Sequence, residues 1–356
     1  MSATIHGTYK EADCTFLLRD MNGVVTPISQ AVKKEQMSAG KKSYEMIPFE
    51  YKVDQLSESI FLRLLSDTSK EVARVIGVLA ESIYSAKGNN TVLVSLARGG
   101  IPVGVLCKRY LETYYGVSLP HYVISLIRNE GIDDNALNYI VNHHPQANIQ
   151  FIDGWTGMGY ISQQLEKYVM EHNQRYGRNV DPALAVAIDS SKICSYCGTR
   201  KDAILPSCCL NATVCGMISS IYYDKGVLDE NDFHGALQWD ESIGRDYSNF
   251  FIEEITKHFS RQKPETNFPE ENYAKRCLDC VKQDFPISNN KNIKLGIGES
   301  TRAIIRYDLE ALLVKDPTNP NLAFLIEIAN AKEIPVIIYD KTEYESIALI
   351  CEKEVF

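Results

Sequence analysis

The stretch TVLVSLARGGIPVGVLCKRYLETYYG, residues 91–116, combines a strand, a glycine turn and a helix. The β-branched, apolar residues before Arg98 are typical of a buried strand. The pattern after Gly99 and Gly100 is helical, with Pro102 near the first helical position and a glycine at the end. This order predicts the first half of a βαβ unit, and therefore a parallel sheet.

The same alternation continues on both sides of this stretch. A helix is predicted over residues 55–86, strands at HYVISLIR, NIQFID and ALAVAID, and helices near residues 135–142 and over YISQQLEKYVMEHNQRYG. Apolar strands alternating with amphipathic helices predict an α/β fold with a buried parallel sheet flanked by helices. Ligands of such sheets bind beyond the carboxyl ends of the strands.

The chain divides into three parts by composition. Residues 1–260 form the predicted α/β domain with an N-terminal extension and an irregular hood, and the polar, proline-containing residues 261–290 are predicted to be a linker. Residues 291–356 show a compact α/β pattern of their own, with a helix beginning near Ser300 and a final helix after the strand PVIIYD.

Composition limits the classes of function. The 356 residues carry a net charge of −9, which argues against broad, non-specific nucleic-acid binding. The N-terminus shows no signal peptide, and the apolar runs are shorter than the ~20 residues of a membrane helix. We therefore expect a soluble cytoplasmic protein without a membrane segment, whose ten cysteines are mostly reduced.

Two glycine-rich turns at strand ends are candidate anion sites. Arg98, Gly99 and Gly100 form the first, where backbone amides and a guanidinium suit a phosphate, although a tight turn with a surface arginine gives the same pattern. The second is FIDGWTGMG, residues 151–159, with Asp153 as its single acid; a glycine-rich connector is the alternative. Arg128 follows the strand HYVISLI. It either covers such an anion site or is a solvated side chain.

The cysteines favour no metal site strongly. Cys194 and Cys197 form one CxxC knuckle, but SCCLNATVC, with Cys208, Cys209 and Cys215, lacks the matching second knuckle, so zinc is disfavoured. Redox activity or simple burial explains them equally well. Cys209 with His234 is a candidate thiol–imidazole pair. Asn211 and Thr213, in a turn of small and polar residues, are lower-ranked candidates beside them.

The C-terminal part offers a basic helix. Gly298 precedes Arg302 and Arg306, which lie four residues apart on one helix face. This arrangement suits an RNA phosphate, but a solvated basic face is the interpretation that the sequence alone favours.

Several blocks resemble a known family. They are GTYKEADCTFLL, VSLARGGIPVG, HYVISLIRNEGID, FIDGWTGMG, LPSCCLNATVCG and DFHGA. They resemble the phosphoribosyltransferase-like family of tellurite-resistance, stress-response gene clusters, whose members are also labelled StiP cysteine proteases. The block IKLGIGESTRAIIR and its continuation resemble a Pelota-type (L7Ae/Pelota-like) RNA-binding domain. The resemblance covers nearly the whole chain.

The resemblance implies a type I phosphoribosyltransferase-like fold and a phosphoribosyl pyrophosphate site with Mg²⁺. Arg98, Gly99 and Gly100 match the pyrophosphate loop, and Arg128 falls in the flexible catalytic loop. The phosphoribosyl loop corresponds to Asp153, Gly154, Trp155, Thr156, Gly157, Met158 and Gly159. This loop departs from the pattern of the wider phosphoribosyltransferase superfamily, in which it is longer and has two adjacent acids. Here Gly154 and Trp155 follow a single acid, and Met158 occupies a position where related proteins often have a lysine.

The resulting expectation is glycosyl transfer, or the reverse phosphorolysis of a nucleotide, in a stress-response pathway. Arg98, Arg128 and Asp153 are the predicted catalytic residues, with Asp153 holding Mg²⁺ together with the substrate. Two alternatives stay open: a non-catalytic nucleotide- and RNA-binding protein, and a cysteine peptidase that uses Cys209 and His234. No motif decides the oligomeric state, and a homodimer is one alternative.

Overall fold

A six-stranded, all-parallel sheet is the centre of the larger domain in the computed structural model, which describes residues 3–266, 269 and 273–351. The strands of this domain are β1 (Thr15–Phe16), β2 (Arg19–Asp20), β3 (Thr91–Leu96), β4 (His121–Ile124), β5 (Leu126–Ile127), β6 (Gly131–Ile132), β7 (Asn148–Thr156), β8 (Leu184–Asp189), β9 (Tyr196–Thr199) and β10 (Gly235–Ala236). The sheet order is β1-β4-β3-β7-β8-β9. Two small pairs, β2 with β10 and β5 with β6, lie outside it.

Helices flank this sheet, as the alternating pattern predicts. They are α1 (Gln30–Ser38), α2 (Gln55–Lys87), α3 (Gly100–Tyr115), α4 (Asp134–His143), α5 (Tyr160–Tyr176) and α6 (Ser248–Thr256). Short 3-10 helices occupy Ser43–Glu45, Pro206–Cys209, Ala212–Val214 and Glu241–Ile243. Asp54 caps the start of α2 by accepting from the Ser57 amide, and Gly116, in the left-handed region, ends α3.

The strand order reverses between β3 and β7. The chain passes from β3 to β4 on one side and then crosses to β7 on the other. At this switch point the first turn of α3 approaches β7 so closely that a Cβ on Gly100 would lie 2.2 Å from the Ile152 carbonyl oxygen. Glycine is therefore required at residue 100, and the carboxyl ends of β3 and β7 are brought together.

The smaller domain is a four-stranded mixed sheet with three helices. Its elements are α7 (Tyr273–Asp284), β11 (Ile293–Leu295), α8 (Ile297–Arg306), β12 (Leu309–Val314), α9 (Ala323–Ala331), β13 (Val336–Ile338) and β14 (Ser346–Ile350). The sheet order is β11-β14-β12-β13.

Three local predictions for this region need correction. Residues 261–290, predicted as a linker, contain α7, which buries Cys277 and Val281 in the core of the smaller domain. The predicted final helix is instead β14, because its short apolar run pairs with β11 and β12 on both sides. Helix α8 begins at Ile297 rather than near Ser300.

The smaller domain packs against the carboxyl end of the larger sheet. Helix α8 contacts the 3-10 helix Pro206–Cys209, and one hydrophobic cluster includes Leu205 of the larger domain together with Ile297 and Ile304 of α8. The two domains therefore share a continuous core. Within residues 3–266, 269 and 273–351, no helix has the length and apolar character needed to cross a membrane.

Candidate functional site

An ion pair lies at the carboxyl end of β3. Arg98 follows β3 and donates hydrogen bonds to the Glu50 carboxylate and, at 3.0 Å, to the Ile218 carbonyl. Burial opposes both charges, but each partner stabilises the other, so the pKa of Glu50 is lowered and that of Arg98 is raised. The predicted anion-binding arginine is thus already paired with a carboxylate from the N-terminal extension.

A hydrogen-bond chain continues from this pair to the smaller domain. Asn211 donates to Glu50 Oε1 at 3.0 Å, and its own Oδ1 lies 3.5 Å from Nη2 of Arg302 on α8. The Arg302 guanidinium lies 4.9 Å from the centroid of the Trp155 ring.

We call the residues around this hydrogen-bond network the junction site. They are Glu50, Arg98, Asp153, Asn211, Cys209, Cys215, Arg302 and Arg306. Both domains contribute to it, since α8 supplies the last two residues.

Asp153 lies on β7, opposite the Arg98 turn. Its carboxylate accepts a hydrogen bond from the Gly154 amide at 2.7 Å. Burial raises the pKa of Asp153 to about 6, against the opposing effects of the Gly154 amide, Arg302 and Arg128. A carboxyl group with this pKa exchanges protons near neutral pH, as a general base requires.

The remainder of the predicted phosphate loop is engaged by protein groups. Trp155 Nε1 donates to Glu299 of α8 at 3.0 Å, and the Thr156 hydroxyl donates to the buried Asp189 at 2.6 Å. The Gly157 carbonyl accepts from the Tyr344 hydroxyl at 2.8 Å.

Three further residues of the predicted site are placed as follows. Met158 packs against the core of the smaller domain, and Gly159, with φ of 73°, precedes α5. Arg128 lies at the rim, 5.7 Å from the centroid of the Tyr160 ring. The smaller domain therefore occupies the side of this loop that the sequence analysis assigned to a ligand.

Two thiols of the junction site are buried. Cys209 and Cys215 are only 4% and 5% exposed. Burial raises the pKa of Cys215 to about 12, while the charges of Arg98 and Arg302 lower it. A hydrogen bond with Cys208, together with burial, raises the pKa of Cys209. In this arrangement both thiols are protonated at neutral pH, and guanidinium groups are the main influence favouring their ionisation.

His234 does not lie with Cys209. Its Nδ1 is 2.6 Å from the Ser125 hydroxyl, its ring packs on Tyr223, and its backbone amide donates to Asp133. In the described part of the chain, no contact or electrostatic effect joins His234 to Cys209. The predicted thiol–imidazole pair is therefore not formed, and the two residues belong to different parts of the fold.

The other lower-ranked candidates have different positions. Asn211 is part of the junction site. The Thr213 hydroxyl is buried and has no hydrogen-bond partner within the described part of the chain, and the Thr213 carbonyl accepts from the Tyr247 amide. Gly298, Arg302 and Arg306 face the larger domain: a Cβ on Gly298 would lie 3.6 Å from the Trp155 ring. These three residues do not form the solvated basic face, or the free RNA surface, considered from the sequence.

The metal predictions concern Asp153 and the cysteine cluster. Among the described residues, no group of three or more His, Cys, Asp or Glu side chains is arranged to hold a metal ion. Asp153 is a single carboxyl group influenced by Arg302 and Arg128, and their positive charges repel a cation. The expectation that Asp153 holds Mg²⁺ together with a substrate needs only one protein carboxylate, so it stays a prediction.

The sequence does not point to two residues that make contacts at the junction, Glu50 and Asp202. Glu50 lies in an irregular segment, IPFEYKVD, without a recognisable motif. Asp202 accepts hydrogen bonds from the Ile297 and Glu345 amides, both at 2.9 Å, and so ties the two domains together. Neither position follows from periodicity, because both depend on contacts with distant segments.

Comparison with known proteins assigns the larger domain. The family described as "Tellurite-like stress resistance cysteine protease StiP" matches residues 7–256. The chain belongs to this family. The "PELOTA RNA binding domain" matches residues 273–352, in agreement with the resemblance seen in the C-terminal sequence.

A relative matches almost the full length. The protein named "Cysteine protease StiP" from Acinetobacter baylyi is 27% identical over 363 residues, covering 97% of this chain and 94% of its own.

Similarity to solved structures is much weaker. A hypothetical protein from Neisseria gonorrhoeae with bound ppGpp is 15% identical, with a TM-score of 0.20, and covers 33% of this chain. This chain spans 65% of the Neisseria chain, slightly less than two thirds. The NifS-like protein from Rickettsia africae is 11% identical, covers 94% of this chain and 93% of its own, and also has a TM-score of 0.20.

The predicted phosphoribosyl transfer is wrong on these findings. Both the family and the full-length relative are named as cysteine proteases, which agrees better with the peptidase alternative. The geometry gives a physical reason: Arg98 is paired with Glu50, the Thr156 hydroxyl with Asp189, and Trp155 with α8. The turn that resembles a phosphate cradle is filled by interactions within the protein.

Proposed function

We propose that this protein is a thiol-dependent peptide hydrolase whose chemistry takes place at the junction site. The observation that carries the proposal is the buried thiol of Cys215, three residues before Ile218, whose carbonyl accepts a hydrogen bond from Arg98 at 3.0 Å. Burial raises the pKa of Cys215, and the charges of Arg98 and Arg302 lower it. Guanidinium groups favour the thiolate, which is the nucleophilic form. The names of the family and of the Acinetobacter relative support the same class of reaction.

Cys215 is the nucleophile that we assign, and Asp153 is its base. Asp153 in its ionised form accepts the thiol proton, and the sulfur attacks the peptide carbonyl. The proton then passes to the leaving amine, and the C–N bond breaks to give a thioester. Water hydrolyses the thioester to a carboxylic acid and restores the thiol.

The closed junction makes this enzyme latent. Both candidate thiols are buried, α8 packs on the 3-10 helix that contains Cys209, and the pKa of Cys215 is about 12 when the domains are docked. Access for a peptide therefore requires α8 to move away from the 3-10 helix Pro206–Cys209. Opening also admits water, which removes the burial that raises the thiol pKa.

The test is cleavage of an unfolded protein substrate followed by mass spectrometry. We expect the wild type to cleave it, iodoacetamide to abolish cleavage, and Cys215→Ala to reduce the rate at least 100-fold. Cys280→Ala, which removes a half-exposed thiol of α7, is the control and is expected to retain full activity. Cleavage that is unchanged in both Cys215→Ala and Cys209→Ala would contradict the proposed function. The absence of any cleavage by the wild type would contradict it as well.

We also propose RNA binding by the smaller domain, which the match to residues 273–352 supports. The surface used differs from the junction face of α8, because Arg302 and Arg306 face the larger domain. A gel-shift assay with structured and single-stranded RNA tests this activity, and Arg302→Gln and Arg306→Gln are expected to leave it unchanged. Loss of RNA binding in these two variants would show that RNA binds to α8 instead.

A further inference from the structure

Strand β13 forms an open edge of the sheet in the smaller domain. Within the described residues, β12 is its one hydrogen-bonded neighbour, in parallel register. Ile337 and Ile338 are 37% and 67% exposed, and Ile338 is the most exposed large apolar side chain in the described part of the chain. An exposed, uncharged edge strand pairs readily with another strand, and proteins usually protect such an edge with a charge, a proline or a bulge.

The hydrogen bonds to β12 show which backbone groups of β13 are already used. The Leu312 amide donates to the Pro335 carbonyl at 2.8 Å, and the Tyr339 amide donates to the Val314 carbonyl at 2.8 Å. In a strand, the amide and carbonyl groups of successive residues point alternately to either side. Residues 335, 337 and 339 therefore face β12.

The same alternation directs the backbone groups of Val336 and Ile338 to the open edge. These amides and carbonyls have no neighbouring strand among the described residues. Pro335 does not protect the edge, because its own backbone faces β12. The edge thus combines unused hydrogen-bonding groups with exposed apolar side chains.

A second copy of the same strand fits this edge. In an antiparallel pair centred on Ile337, Val336 of one copy lies opposite Ile338 of the other, and each of these pairs exchanges two hydrogen bonds. Ile337 lies opposite Ile337 of the other copy, at a non-hydrogen-bonded position where side chains approach most closely. All outward backbone groups of β13 are then satisfied, and every cross-strand pair is apolar.

The charges that flank β13 agree with this register. Glu333 and Lys341 are each four residues from Ile337, so the pairing places Glu333 of one copy beside Lys341 of the other. Lys341 also forms an exposed ion pair with Asp284 at 2.8 Å. Opposite charges across a strand pair stabilise it, whereas like charges destabilise it. An unrelated extended peptide would satisfy the same backbone groups, but the symmetric match of side chains and charges is specific to a second copy.

We propose that two copies of this chain associate through β13, in antiparallel register about a two-fold axis at Ile337. The two four-stranded sheets then become one continuous sheet. Strand β11, which leads into α8, lies at the opposite edge of the sheet, so this association is separate from the proposed hydrolysis at the junction site. The contact is small, and the dimer is therefore reversible.

Analytical ultracentrifugation of the full-length protein tests the proposal. We expect a monomer–dimer equilibrium that shifts towards the dimer as the protein concentration rises. Ile337→Lys and Ile337→Glu each place like charges opposite each other, so each is expected to raise the dissociation constant by about 10-fold or more. In an equimolar mixture of the two variants lysine lies opposite glutamate, and dimers are expected to return. Val24→Lys, at an exposed apolar position of the larger domain, is the matched control and should dimerise as the wild type does.

The outcomes that overturn the proposal are equally specific. They are a wild type that stays monomeric at all concentrations, a dimer that Ile337→Lys leaves unchanged, and Lys and Glu variants that do not associate when mixed. If Ile337→Lys does not fold, Ile338→Lys at the more exposed neighbour decides, since an unchanged dimer overturns the pairing and its loss supports it. A monomeric protein that captures an extended peptide at β13 would show that the occupant is not a second copy.

Discussion

Oδ1 of Asp202 accepts a hydrogen bond from the backbone amide of Ile297 at 2.9 Å, which joins the segment after β9 to the first turn of α8. Oδ2 of the same carboxylate accepts from the Glu345 amide, also at 2.9 Å. One side chain of the larger domain thus satisfies two backbone donors of the smaller domain. A carboxylate at a helix N-terminus also interacts favourably with the helix dipole. Asp202 is therefore a principal latch of the closed junction.

Asp202→Asn is expected to weaken domain docking. The asparagine amide nitrogen cannot accept, so one of the two amides loses its partner, at a cost of about 1–3 kcal/mol. Because docking buries the thiols, we expect Cys209 and Cys215 to react at least 5-fold faster with a thiol reagent, followed by peptide mass mapping. Asp316→Asn, in an exposed turn of the smaller domain, should leave the labelling rate unchanged. Equal labelling of both variants would show that Asp202 does not control the junction.

Two substitutions of Trp155 separate the contribution of its hydrogen bond from that of its packed ring to the stability of the contact with α8. Trp155→Phe removes the hydrogen bond to Glu299 but keeps an aromatic ring under Arg302, so we expect a loss of about 1 kcal/mol in the free energy of unfolding. Trp155→Ala also removes the packed ring and is expected to cost about 3–5 kcal/mol. Urea unfolding of both variants measures the difference. A phenylalanine variant as unstable as the alanine variant would mean that the hydrogen bond, not the ring, stabilises the contact.

The raised pKa of Asp153 predicts a pH dependence of stability. The ordinary value of 3.8 rises to about 6 in the folded protein, so on raising the pH the unfolded chain releases its proton first. The contribution of Asp153 to the free energy of unfolding therefore falls between about pH 4 and pH 6 and is constant above that range.

Asp153→Asn removes this contribution. Relative to wild type, the variant is expected to gain up to about 3 kcal/mol at pH 7 and little at pH 4. The matched control is Asp67→Asn, at an exposed position of α2. Thermal unfolding at the two pH values measures both variants, and an equal effect of Asp153→Asn at pH 4 and pH 7 would contradict the assigned shift.

The same carboxyl group sets the activity profile. Asp153 accepts the thiol proton when it is ionised, and opening of the junction removes the burial that raises its pKa to about 6, so kcat/KM is expected to rise with pH at or below about pH 6. In Asp153→Asn that rise should disappear together with most of the activity. A profile unchanged by the substitution would assign the base to another residue.

Gly100 tests the packing at the switch point. Gly100→Ala places a Cβ 2.2 Å from the backbone oxygen of Ile152, which cannot move without displacing β7, so we expect a loss above about 3 kcal/mol. Gly99→Ala meets only the Asp153 carboxylate, at 3.0 Å, which is able to rotate, and should cost less. Thermal unfolding of the two variants compares them, and equal stability would contradict the close approach of α3 to β7.

The parts of the fold that the sequence predicts correctly are those in which local pattern and tertiary role agree. The run before Arg98 is a strand because its side chains are buried on both faces, and the residues after Gly100 form α3 as the periodicity indicates. The segment ESIALI is ambiguous, since short apolar runs suit strands and buried helices equally. It forms strand β14 because it pairs with β11 on one side and with β12 on the other.

The sequence predicts where the site lies on the sheet, but not which residues surround it. Arg98 follows β3 as the sequence analysis expects, whereas Asp153 lies within β7, which continues through the predicted turn to Thr156. Both residues lie toward the carboxyl edge of the parallel sheet. Their partners are Glu50, about fifty residues before the arginine, and α8 of a separate domain. Such contacts leave no local signal, so the sequence suggests an open phosphate loop where the protein has a closed interdomain junction.

The most direct measurement of the central claim is labelling by a peptide that carries an electrophile at its scissile position, followed by mass spectrometry of the full-length protein. We predict stoichiometric modification of Cys215, faster labelling in Asp202→Asn, and protection of the thiol by excess substrate peptide. Modification of a cysteine outside the junction site, such as Cys280, or no modification of Cys215 in either protein, would contradict the account.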